Sequence, residues 1–137
     1  LREDKEMAFE YYTAMTNDPD RMRKVLALFG VDTEESITSK ALRNMLFKKV
    51  DDNVTRQAGN TYQRLFCQYA TYKDDELTLR AFVARASIRR VIVDRAGIYE
   101  FEGTVLAGTY EGVVDFFRDA KNSYLMDAIK LRLDPTR

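Results

Sequence analysis

TLRAFVARASIRRVIVDRAGIYEFE, residues 78–102, changes its period half way along. In the first half Leu79, Phe82, Val83 and Ala86 recur at helical spacing, which makes them the inner stripe of an amphipathic helix. Arg80, Ala84 and Ser87 fall on the other side, with Arg85 nearby. From Arg89 onward the period is two: Arg90, Ile92 and Asp94 alternate with Arg89, Val91 and Val93, a β-branched run that favours a strand. Arg95-Ala96-Gly97 predicts a turn, and Ile98–Glu102 returns as a second strand with Glu100 and Glu102 on one face. A helix running directly into a hairpin is the outline of a winged helix-turn-helix, and small residues between arginines suit a helix that enters a major groove.

Working outward toward the N-terminus, four more helices are expected. Residues 2–16 carry Met7, Tyr11, Ala14 and Met15 on one side. Asn17-Asp18-Pro19 interrupts, and a helix over 19–29 places Met22, Val25, Leu26 and Phe29 in one stripe, closed by Gly30. Arg21, Arg23 and Lys24 are left as a solvated face. Thr38 or Ser39 caps a helix buried through Leu42, Met45, Leu46 and Val50. Asp51-Asp52-Asn53 marks a turn, and the longest helix is expected from Val54 or Gln57 to Tyr72. Its spacing makes Tyr62, Leu65, Phe66 and Tyr69 core rather than base-stacking residues. Toward the C-terminus, Gly103 interrupts the second strand and Thr104–Ala107 continues it. Thr109 caps a helix with the stripe Val113, Phe116, Phe117. A last helix carries Leu125, Ala128, Ile129 and Leu133 and stops at Asp134-Pro135.

These elements specify an α+β fold, mainly helical, with a β-hairpin in the C-terminal third. No repeat, low-complexity tract or linker divides the chain, so one compact domain over residues 1–137 is expected, with a winged-helix-like unit at about 38–106. The opening LREDKE, beginning on Leu, is no signal peptide and reads as the start of a fragment. No apolar run reaches the roughly 18 residues a bilayer span requires, so a soluble protein of the cytoplasm or another intracellular compartment, with no membrane partner, is expected.

Composition narrows the chemistry. The chain has no histidine and one cysteine, Cys67, which removes imidazole triads, most zinc chemistry and any intramolecular disulfide. Cys67 lies within a helical pattern and reads as a small core residue, not a nucleophile. No metal site and no cofactor are expected. The 22 basic and 22 acidic residues cancel, so any attraction to a polyanion must be local. Locality is present: residues 77–99 hold five arginines against one aspartate, whereas residues 100–120 hold five acids against one arginine.

Two constellations carry functional expectations. Arg80, Arg85, Arg89, Arg90 and Arg95 suit phosphate, because a guanidinium donates in planar pairs, and they point to a non-catalytic module that contacts nucleic acid. The competing use for these arginines is pairing with Asp94, Glu100 and Glu102 across the hairpin. Those three acids are also the one cluster that could hold a hard cation, although no lysine stands beside them. Phe116-Phe117 is the second constellation: one ring is expected in the core, and the other would anchor a protein partner. The alternative function is therefore a protein–protein interaction or assembly subunit with segregated acidic and basic faces.

Overall fold

The computed structural model describes residues 3–134; the expected helix start at Arg2 and the terminating Pro135 lie outside them. Seven helices, a two-residue β-ladder and a three-stranded antiparallel sheet make up the described residues, a mixed α+β architecture. The chain divides between Leu77 and Thr78 into two compact units, each with its own core.

The first unit is built from helices α1 (Asp4–Met15), α2 (Pro19–Leu28), α3 (Ser39–Val50) and α4 (Tyr62–Ala70). Asp18 caps α2 by accepting from the Arg21 amide at 3.1 Å, and Pro19 takes the first helical position, where a missing N–H costs nothing. Thr38 caps α3 through the Ala41 amide at 3.1 Å. The stripes Met22-Val25-Leu26 and Leu42-Leu46-Val50 are fully buried, as their spacing predicts, and pack with Phe66 and Leu77. On α1 the inward residues are Ala8 and Met15, while Ala14 is exposed. Arg21 and Arg23 do not form a solvated face. Arg21 donates to the carbonyls of Ala70 (3.0 Å) and Tyr72 (2.8 Å) and pairs with Asp74 at 2.8 Å. Arg23 donates to those of Glu35 and Ile37, both at 3.1 Å. Each guanidinium thus satisfies carbonyls left over at a helix end or in a loop.

Residues 54–61 depart from the expected helix. Arg56–Gln57 (β1) and Asn60–Thr61 (β2) pair as a small hairpin around Ala58-Gly59, and α4 begins only at Tyr62, capped by Thr61. Ala58 and Gly59 both have positive φ, 52° and 84°, the requirement of a type I′ turn. Upstream, the Asp52 carboxylate accepts from the amides of Val54 (2.9 Å) and Thr55 (2.7 Å), which ends α3 and starts the hairpin.

The second unit comprises most of α5 (Asp74–Ile88), a meander of β3 (Val93–Arg95), β4 (Ile98–Phe101) and β5 (Thr104–Ala107), and helices α6 (Tyr110–Arg118) and α7 (Ser123–Leu133). The expected single hairpin is a three-stranded sheet, because Gly103 makes a second turn instead of interrupting one strand. Ala96-Gly97 and Glu102-Gly103 both have positive φ throughout, so two type I′ turns follow each other. Glu102 accordingly sits in a turn and does not share a strand face with Glu100. The β4–β5 register slips between Tyr99 and Glu100, placing Glu100 opposite Val105. Phe101 and Leu106 face inward onto Phe82, Val83, Val113, Phe117 and Ile129.

Helix α6 starts where β5 ends, and Gly112 makes this join possible. A Cβ at position 112 would lie 2.9 Å from both the Ala107 Cβ and the Thr109 Oγ1 that caps the helix. Helix α5 differs from its expected one-sided pattern: Ala81, Phe82, Val83 and Ala84 are buried in succession, followed by Ala86. Ala84, placed by the sequence on the open side, is therefore covered. No helix among the described residues is long and apolar enough to cross a membrane.

Candidate functional site

The five arginines of the expected basic set have different surroundings. Arg80, near the start of α5, is largely covered and forms a two-point pair with Glu111 in the first turn of α6, at 2.8 and 2.9 Å. The carboxylate also lies where the N-terminal end of α6 favours negative charge. Arg85 is half-buried on α5. Arg89 donates to the Leu133 carbonyl at 2.7 Å, serving the last turn of α7. Arg95 leaves the end of β3 and pairs with Glu100 of β4, so one of the expected cross-hairpin pairs forms.

Arg90 is the exception. It is exposed, has φ 59°, and pairs with no acid among the described residues. It lies beside a pocket of about 380 Å³ that is also bordered by Arg95, Glu100, Glu102 and Arg132, with Val93 contributing apolar lining. Arg132 reaches this place from α7 and pairs with Glu102. Sequence reasoning missed Arg132, since a basic residue in the last turn of a helix looks like ordinary compensation of the helix dipole. Only the three-dimensional return of α7 beside the second meander turn brings it to Arg90 and Arg95.

The acids of the hairpin are all engaged. Asp94 accepts from the Gly97 amide at 2.8 Å and closes the turn, while Glu100 and Glu102 hold Arg95 and Arg132. Among the described residues no group of three or more Cys, Asp or Glu side chains is placed to hold a metal ion. Cys67 is buried, and its thiol pKa is raised, first by that burial and then by the nearby Asp4 charge, which disfavours the reactive thiolate. Tyr99 is likewise raised, by burial and then by Asp94.

The phenylalanine pair splits as its neighbours dictate. Phe117 is buried and meets Phe82 edge-on at 5.4 Å; Phe116 is half-buried and packs edge-on against Phe117 at 5.0 Å. More strongly exposed apolar side chains lie on the meander, at Ile98 and Val105. The arrangement as a whole offers anion recognition by guanidinium groups beside a small apolar sheet face. Compared with protein-family models, curated proteins and solved structures, the chain matches none of them.

Proposed function

We propose that this chain is a non-catalytic binding module that contacts nucleic acid through its phosphates, using the arginines beside the meander in preference to helix α5. The observation that carries the reading is the convergence of Arg90, Arg95 and Arg132 on one pocket, with Arg90 exposed and forming no ion pair among the described residues. The winged-helix outline over about residues 38–106 belongs to the same proposal, with β3–β5 acting as the wing. Arg80 has a fixed carboxylate partner and Arg89 a backbone one, so their substitution would disturb the fold as well as any ligand. Phosphate contacts of this kind supply affinity and orientation but little sequence information.

The test is a fluorescence-anisotropy titration with labelled single- and double-stranded oligonucleotides at two salt concentrations. Binding that weakens with salt, and that falls at least about tenfold in an Arg90→Ala, Arg95→Ala double variant, is the expected result. Absence of binding at low salt would end the proposal.

A second reading, a protein-interaction or assembly module, draws on Ile98 and Val105, exposed on the outer side of the sheet, and on half-buried Phe116. It predicts self-association or a partner complex by light scattering that Val105→Asp abolishes, with no response to nucleic acid.

A further inference from the structure

We propose that Arg90, Arg95 and Arg132 form a site for a single phosphoryl group, and that contact with this group is why an arginine occupies a backbone position suited to glycine. The inference deepens the phosphate-binding reading above and rests on it for its choice of ligand class.

Two helices of this chain end in the same hydrogen-bonded motif. At the end of α2, the Gly30 amide donates to Ala27 (2.9 Å) and the Val31 amide to Leu26 (3.0 Å), with Gly30 at φ 84°. At the end of α5, the Arg90 amide donates to Ser87 (3.2 Å) and the Val91 amide to Ala86 (2.9 Å), with Arg90 at φ 59°. The pivotal residue of this motif adopts the left-handed conformation, and glycine is its usual occupant because it has no Cβ to clash. The first helix uses glycine. The second carries the steric cost of an arginine whose side chain makes no ion pair within the described residues. A ligand bound by that guanidinium would offset the cost.

The pocket beside Arg90 specifies the ligand's charge. Glu100 holds Arg95 and Glu102 holds Arg132, but one carboxylate does not exhaust the five donors of a guanidinium. Three cations against two carboxylates leave one uncompensated positive charge, and it belongs to Arg90. A phosphoryl group accepts the paired donors of Arg90 with two oxygens and offers its third to Arg95 and Arg132. A carboxylate ligand carries one negative charge on two oxygens and offers these three guanidinium groups fewer acceptors than a phosphoryl group. The same phosphoryl chemistry occurs at the end of a nucleic-acid strand and in a small phosphorylated ligand, so the experiment separates these sources.

Arg90→Gly is the decisive variant, because it removes the guanidinium while relieving the backbone. It is expected to raise Tm by about 3 °C in the full chain. Inorganic phosphate should raise the Tm of the parent chain and leave that of Arg90→Gly unmoved; Arg132→Ala should show a reduced response. In parallel, 5′-phosphorylated and 5′-hydroxyl oligonucleotides of one sequence are compared by anisotropy. Preference for the phosphorylated end, lost in Arg90→Gly, identifies a strand end as the source. A response to inorganic phosphate with equal binding of both oligonucleotides identifies a small ligand. If Arg90→Gly responds to phosphate like its parent, or if neither phosphate nor the strand end has any effect, the site is refuted. Phosphate binding without oligonucleotide binding would instead retain the pocket and refute the nucleic-acid reading; salt-sensitive oligonucleotide binding indifferent to ends and to phosphate would do the reverse.

Discussion

At the scale of single residues, what an arginine can do depends on what it already holds. Arg21, Arg23 and Arg89 each donate to backbone carbonyls, and Arg80 grips both oxygens of Glu111. Planar forks suit such work, so a count of arginines along the sequence overstates the number available to a ligand. Ser87 is the opposite case, a polar group with too little to hold. Its Oγ is buried and makes no hydrogen bond among the described residues, in the last turn of α5. A desolvated hydroxyl without a partner costs free energy that alanine would not, and alanine also has the higher helix propensity. Ser87→Ala should therefore stabilise the fold by about 1 kcal/mol, read as an increased urea midpoint at unchanged slope. A lowered midpoint would show that the hydroxyl is satisfied in solution.

Among the elements, the turn at Asp52 gives a pH-dependent prediction. Its carboxyl pKa is lowered, chiefly by the hydrogen bond from the Thr55 side chain and then by the Thr55 and Val54 amides. A carboxyl with a native pKa below its unfolded value stabilises the fold above the unfolded value and loses that contribution as pH falls through the native one. Acid titration of the parent should thus show a fall in Tm below the ordinary carboxylate range, and Asp52→Asn should show a smaller fall with the turn geometry preserved. Equal acid sensitivity in the two proteins would rule out this role. The same region shows where the sequence was legible. Helices α2 and α3 have aspartate or threonine caps and one-sided stripes, so caps and spacing located them and most of their buried residues. The hairpin at 56–61 was hidden because alanine precedes its turn glycine, and alanine is ordinarily a helix former. Helix α5 misled in another way: its small residues at 81 and 84 are compatible with either an open or a covered face, and local spacing cannot distinguish them. Strand β4 was legible from its alternation, but the strand expected from Arg89 begins only at Val93, because Arg89 and Arg90 close α5 with helix-end hydrogen bonds; the second turn, Glu102-Gly103, resembled a break within a strand. For the candidate site, Arg90 and Arg95 were legible as arginines beside a hairpin. Arg132 was not, since its approach depends on contacts across about thirty residues of intervening chain.

For the molecule as a whole, the balance of 22 basic and 22 acidic residues constrains how strongly it can respond to a polyanion. A uniformly basic domain attracts nucleic acid over its entire surface and releases many counterions on binding. A neutral one has only its local contacts, and here the exposed candidates are Arg90, Arg95 and Arg132. Each phosphate neutralised on a duplex contributes about −0.9 to the slope of log K against log salt, so the single phosphoryl group held by these three predicts a slope of about −1. Arg90→Gly, which removes the one uncompensated cation, should bring the slope close to zero. The absence of histidine adds a control: no side chain of ordinary pKa titrates between about pH 6 and 8, so with an oligonucleotide lacking a terminal phosphate the slope should be the same at both ends of that range. Anisotropy titrations over a series of potassium chloride concentrations would measure it. A slope of about −6 or steeper would require cations well beyond these three, and would place the contact surface elsewhere on the chain.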